Sequence, residues 1–246
     1  MREKPPPPAG ITAQAAERHA LREVFALSKR RIKFTKLGMA KFISHLDLLR
    51  TFTRAVTRSG LPVRYSNGFN PHQIITFSLP LSVGVTSEAE YVDIDFEETA
   101  SNEEIRKKLG AALPPDMRVL KVSMPEISAN DICAAEYIIE FLDAGFSEEE
   151  LKNFFNEERL PVIKKTKKGE KEVNLRDFIK MEKILEVTDS YAKMMVVLSA
   201  GGSENLKPSV FTGKLLEYMG KDPETRVYCH RTNIFYMDEK EMKIFG

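Results

Sequence analysis

Hydrophobic and polar positions alternate with a period of two from Arg30 to Lys36, where Ile32 and Phe34 interrupt a basic run, RRIKFTK. That pattern predicts a half-buried strand with a cationic outer face. The period then lengthens. Leu46, Leu49, Phe52 and Val56 recur at helical spacing and are expected to face a core. Ser44 stands where it can accept a bond from the first turn, and Asp47, three residues on, resembles a capping box. Ser59-Gly60 ends this helix. Leu61–Tyr65 and Gln73–Leu79 read as short strands. Glu90–Phe96 sets Val92, Ile94 and Phe96 against Tyr91, Asp93 and Asp95, which predicts a further strand. Ser101 caps a helix to Leu113, the run Pro114-Pro115-Asp116 stops it, and Met117–Val122 closes the series. With Leu61–Tyr65 as a minor edge piece, the order is βαββαβ, the ferredoxin-like plan.

The second half repeats the alternation without repeating the sequence. Strands are expected over Ala134–Leu142, Leu160–Lys167, Val173–Ile184, Tyr191–Leu198 and Arg226–Tyr236, and helices over Ser147–Asn156 and Pro208–Met219. Pro208 suits a first helical turn and Gly220 a C-terminal cap. The expected fold class is therefore α+β, with two tandem ferredoxin-like units packed together, 29–124 and 132–246, around a short linker, Pro125–Asp131. Residues 1–28 read as an arm containing Pro5–Pro8 followed by an alanine-rich leader helix over Ile11–Ser28.

Composition narrows the class. A charged fraction of 30% beside 42% hydrophobic residues is that of a globular protein, and no apolar run approaches the ~18 residues of a membrane helix. MREKPPPPAG lacks the apolar stretch of a secretory signal, so a cytoplasmic location and no membrane partner are expected. Cys133 and Cys229 stand apart with no C-x-x-C; two buried thiols in a reducing compartment is the first reading, a disulfide the second. The net charge of +1 conceals segregation. Between Lys29 and Arg64 the acid is Asp47 against ten bases, whereas Glu88 to Glu104 holds acids and no base, which predicts one positive surface.

Candidate chemistry gathers between Lys41 and His72. Arg50, Arg54 and Arg58 recur at i, i+4 and i+8 and project from one helix face. With Arg31, Lys33, Lys41 and Arg64 they are the expected nucleic-acid contacts, since guanidinium forks match phosphate. The alternative for the stripe is a solvated face or salt bridges to the acidic block. Ser66-Asn67-Gly68-Phe69-Asn70-Pro71-His72 is a dense turn signal in which Asn67, Gly68, Asn70 and Pro71 set the loop shape. Phe69 and Tyr65 could stack on bases or serve as core aromatics. His45, in the first turn of the helix, is the candidate general base, beside the plainer reading of a helix-start histidine that satisfies a backbone carbonyl or caps a core. His72 could meet it, but two histidines do not make a metal site, and no metal is expected. The lysines from Lys164 to Lys171 read as a solvated hairpin tip. Gly201-Gly202 resembles a phosphate loop only superficially, because no G-x-x-x-x-G-K-[ST] is present.

The run Ser-His-Leu-Asp, the arginine-bearing helix, Ser59-Gly60-Leu61-Pro62, the loop Ser66–His72, Pro80-Leu81, Gly84 and Ser87-Glu88-x-Glu90-Tyr91 resembles the radical SAM-linked protein family, over Arg31–Asp95 and more loosely to about Tyr236. That is a bacterial domain of unassigned activity, found alone or fused C-terminal to cobalamin-binding radical SAM proteins. The resemblance implies a radical SAM protein as partner, with the iron–sulfur cluster, S-adenosylmethionine and cobalamin carried there. Such a cluster needs three closely spaced cysteines and this chain has two distant ones, so no cofactor is expected here. The resulting expectation is a non-catalytic accessory module that binds RNA or presents substrate through a basic face. Two alternatives stand beside it. One is a metal-independent endoribonuclease like those that process CRISPR repeats, with His45 as base and Lys41 or an arginine stabilising the phosphorane. The other is a protein–protein adaptor.

Overall fold

The computed structural model describes residues 29–97, 100–166, 169–202 and 204–246, so the proline arm and the leader helix expected over 1–28 lie outside the described residues. Among the described residues the chain is α+β, with four α-helices and a large, mostly antiparallel sheet. Its elements run β1 (Lys29–Lys36), α1 (His45–Ser59), β2 (Ile75–Phe77), β3 (Thr86–Asp95), α2 (Asn102–Ala112), β4 (Val119–Ser123), β5 (Ile132–Leu142) and α3 (Glu148–Asn156). The hairpin β6 (Pro161–Thr166) and β7 (Gly169–Asn174) follows, then β8 (Ile179–Thr188), β9 (Tyr191–Ser199), α4 (Pro208–Tyr218), β10 (Arg226–Asp238) and β11 (Glu241–Ile244).

Nine strands join in one sheet, β4-β1-β3-β10-β5-β9-β8, with β2 on β3 and β11 on β10. Within the first half the order is β4-β1-β3-β2, all antiparallel. Within the second it is β10-β5-β9-β8, again antiparallel, with β6–β7 forming a separate two-stranded sheet. Both sets place their fourth strand beside the first and their third between first and second. The halves meet where β10 pairs in parallel with β3, His230 opposite Thr86 and Arg231 opposite Ser87. The Thr86 hydroxyl and the His230 Nδ1 lie 2.9 Å apart across this seam.

Each face of the sheet carries a core, because successive residues of a strand point to opposite sides. On β3, Val92 and Ile94 join Ile32, Phe34, Phe52 and Ile105 under α1 and α2. Their neighbour Tyr91 belongs instead to the core built from Ile139, Phe141, Phe154 and Phe211. Phe34 and Phe52 meet at 4.7 Å between ring centroids, and burying a ring of that size stabilises by roughly 1.5–3 kcal/mol. The buried stripe of α1 is Leu48, Phe52, Ala55 and Val56. This corrects the expected one: Leu46 is 64% exposed, since it lies about 200° around the helix from Leu48.

Two further expectations change, and one strand is added. Leu61–Tyr65 reduces to two isolated bridges, Val63 to Phe96 and Tyr65 to Gln73. Val173–Ile184 breaks at Leu175–Phe178, a 3-10 turn that separates β7 from β8. β11 has no strong sequence signal and is held by its register on β10, Phe235 to Ile244 through Asp238 to Glu241. Gly201 serves the backbone and not a phosphate: at φ +78° a Cβ there would stand 2.2 Å from the Ile132 carbonyl oxygen.

Candidate nucleic-acid interface

Helix α1 is anchored at both ends. The Ser44 hydroxyl accepts from the Asp47 N–H and donates to the Asp47 carboxylate at 2.8 Å, and Gly60 closes the other end in the left-handed region. The cap is one-sided, without the return bond to the Ser44 N–H that would complete a capping box. With one stripe in the core, the opposite face carries Arg50, Arg54 and Arg58, all exposed. Arg50 pairs with Asp47 on its own helix at 2.9 Å, and Arg58 donates to the Ala112 carbonyl at 2.6 Å. Arg54 has no ion-pair or hydrogen-bond partner among the described residues.

The acidic block does not neutralise this stripe. Glu90 pairs with Arg231, Asp93 with Arg31 and Asp95 with Lys29, while Glu103 and Glu104 pair with Arg106 and Lys108 of their own helix. Ser44 and Arg50 bonded to Asp47 hold its carboxyl below the ordinary value of 3.8.

The loop from Ser66 to His72 is a closed turn. The Ser66 N–H donates to the His72 carbonyl at 2.8 Å, the His72 N–H donates to the Ser66 hydroxyl at 3.1 Å, and that hydroxyl lies 2.8 Å from the His72 Nδ1. Gly68 takes φ +121°, which lets the chain reverse at the tip. Asn67, Asn70 and Pro71 are exposed around it, and Phe69 is fully exposed. Tyr65 stands at the base, about half exposed, beside Arg64, whose N–H donates to the Asp95 carbonyl at 2.9 Å. The buried Gln73 donates its side-chain N–H to the Thr57 hydroxyl at 3.0 Å. Thr57 lies between Arg54 and Arg58, so this bond fixes the base of the loop against the arginine face of α1.

The remaining expected contacts divide. Arg31 is 3% exposed and does not join the surface. It forms a two-pronged bond to Asp93 at 2.8 and 2.9 Å, donates to the Ile127 carbonyl at 2.7 Å and lies 4.3 Å above the Phe245 ring. Lys33 lies half-buried on that same side, 5.8 Å from the Tyr91 ring. The cationic outer face expected of β1 is thus covered by the connection through Ile127 and by the segment ending at Phe245, and it faces away from α1. The single positive surface expected from the charge pattern is two separate regions. Burial pushes the Tyr91 hydroxyl up to about 12.

Lys41 does reach a surface. Its ammonium lies 5.1 Å from the Phe42 ring and 5.4 Å from the Tyr228 ring. His45, exposed at the start of α1, sets its ring edge-on to Phe77 at 5.6 Å and has no hydrogen-bond partner among the described residues. A histidine base is ordinarily oriented by such a bond. His45 and His72 therefore have different neighbours and do not assemble. Among the described residues no three His, Cys, Asp or Glu side chains could hold a metal ion, and both cysteines are free. Burial drives the Cys229 thiol up to about 12, which makes it a poor nucleophile or ligand. No helix among the described residues is long and apolar enough to cross a membrane.

Sequence reasoning missed Gln73, Phe42 and Tyr228, and the buried trio Lys36, Glu90 and Arg231. The trio lies where β1, β3 and β10 converge, each member 1–2% exposed, with Lys36 donating to the Ile43 carbonyl and Arg231 to the Leu79 carbonyl. Burial, partly offset by Glu90, lowers the Lys36 pKa. The only signal for it in the sequence is an odd placement of charge within strands.

No curated protein matches the chain. Three solved structures resemble it at low identity. They are a Cbf5–Nop10–Gar1 complex (11% identity, TM-score 0.48, 88% of this chain and 52% of that one), an H/ACA RNP bound to a substrate RNA containing 2′-deoxyuridine (10%, 0.47, 88% and 51%), and an archaeal box H/ACA sRNP Nop10–Cbf5 complex (10%, 0.46, 85% and 48%). The chain spans about half the length of these structures. The match that covers the α1 face, the loop and most of both halves is to a sequence family: residues 29–208 fit the one described as "Uncharacterized protein conserved in bacteria (DUF2344)", and the chain belongs to that family.

Proposed function

We propose that this chain is a non-catalytic module that binds single-stranded RNA across the arginine face of α1 and the Ser66–His72 loop. The observation that carries the reading is the Gln73–Thr57 bond, which ties the base of the loop bearing a fully exposed phenylalanine to the helix bearing three exposed arginines. Guanidinium groups along a helix suit successive phosphates, and an exposed ring on a closed loop offers a base a stacking surface without a rearrangement. The strand order shared by the two halves supports reading 29–124 and 132–246 as tandem ferredoxin-like units. The sequence resemblance makes a separate radical SAM protein the expected partner of the module. Cleavage through His45 has less support, since its ring is not oriented by a polar neighbour.

The test is fluorescence anisotropy with a labelled oligouridine of about 16 nucleotides, the upper end of ordinary single-strand sites. Replacing Arg50, Arg54 and Arg58 together by Glu is expected to weaken binding by ~100-fold and to flatten the salt dependence by about two units of slope. Unchanged affinity in that triple variant overturns the reading.

A further inference from the structure

Two exposed rings and one lysine stand at the far end of α1 from the loop. Phe42 is 55% exposed and Tyr228 48% exposed. They come from different halves of the chain, Phe42 from the turn before α1 and Tyr228 from β10. The seam is what brings them together. His230 is held opposite Thr86, and Tyr228, two residues back on the same strand, projects on the same side. The Gly84 N–H donates to the Lys41 carbonyl at 2.8 Å, which ties the turn to the loop before β3. The Lys41 ammonium then lies within 6 Å of both rings and makes no ion pair with a carboxylate among the described residues.

We infer that Phe42, Lys41 and Tyr228 form a second base-stacking station, so that one RNA strand runs along the arginines of α1 from Phe69 at one end to this station at the other. The inference rests on the RNA reading of the preceding subsection. A nucleic-acid strand is favoured over other occupants on two grounds. The site supplies one uncommitted cation between two aromatic faces, the pairing that suits a phosphate with flanking bases. It also stands at the N-terminal end of the helix that bears the arginines, since α1 starts three residues after Phe42 and runs 15 residues, about 22 Å at 1.5 Å per residue. The strand would therefore contact both halves of the molecule.

The same 16-nucleotide probe tests this in the full chain. The double variant Phe42→Ala/Tyr228→Ala is expected to lose about 5- to 150-fold in affinity for each base unstacked, while Tyr228→Phe, which keeps the ring, binds as the parent does. A probe bearing 4-thiouridine is expected to cross-link to β10 at Tyr228 as well as to the Ser66–His72 loop. If the arginine triple variant loses binding while the double aromatic variant binds like the parent and cross-links map to the loop alone, the second station is wrong and the RNA reading stands. If the parent binds no RNA, both fall. If the double variant keeps its RNA affinity but loses a co-purifying protein, the rings belong to a protein contact and the inference is overturned.

Discussion

Arg31 and Arg54 come from one basic stretch of sequence and have opposite fates. Arg31 is buried, with two bonds to Asp93, one to a carbonyl and an aromatic ring against its face. Arg54 stands in solvent without a partner among the described residues. The difference lies in what covers each element. A helix on one face of a sheet keeps its outer side wet, whereas the back of β1 is closed by Ile127 and Phe245, which arrive from far along the chain. A buried ion pair is costly to break and a surface charge is cheap to change. The first group therefore serves the fold, and the second is free to serve a ligand.

That contrast can be broken at several places. The largest effect is expected at the buried trio: Glu90→Ala leaves Lys36 and Arg231 without a counter-charge and should cost about 3–5 kcal/mol, read as a fall of roughly 6–20 °C in the thermal midpoint. A midpoint within a degree of the parent would show that Glu90 does not hold the seam. The arginine triple variant of α1 should show the reverse, ~100-fold weaker RNA with unfolding little changed, because surface substitutions usually stay within about 0.5 kcal/mol each. Phe69→Ala should weaken RNA about tenfold and leave stability untouched, as a fully exposed ring buries nothing. A larger stability loss there would mean that Phe69 packs in solution.

The smallest effect concerns pH. The Asp47 carboxyl sits below 3.8 when folded, through the Ser44 hydroxyl and then Arg50. The stability it lends is therefore present above that value and is lost as pH falls through the lowered one. Asp47→Asn should remove this part of the acid limb of a pH–stability curve by lowering stability slightly at neutral pH, where the carboxylate's contribution is fully present, and not at acid pH.

Periodicity made α1, β3 and the capped starts of α2 and α3 legible, because those elements bury one face and the pattern records it. The arginine stripe was legible for the same reason. What periodicity leaves open is the partner of a face. RRIKFTK alternates correctly, yet nothing near it says that Phe245 will cover its charged side. Leu46 and Leu48 are equally apolar letters, and the choice between them depends on the angle at which α1 meets the sheet. Phe42 and Tyr228 are neighbours only through the pairing of β3 with β10, a contact no local signal announces. Gln73 reads as an ordinary strand residue in the sequence, and only the fold sets Thr57 beside it.

The same pairing bears on how the protein is made. Thr86 and His230 are 144 residues apart in sequence. At synthesis rates of about 5–20 residues per second, the edge of β3 waits roughly 7–30 s for its partner strand. Through that interval Ala89 and Tyr91 lack the part of their core that β10 and Phe245 supply, and Glu90 has no arginine. The first half therefore emerges with an open strand edge and an incomplete core, the kind of surface that chaperones bind and that aggregates form on. Truncations placed before β10 are expected to leave the ribosome as aggregation-prone chains even though every element of the first half is present in them.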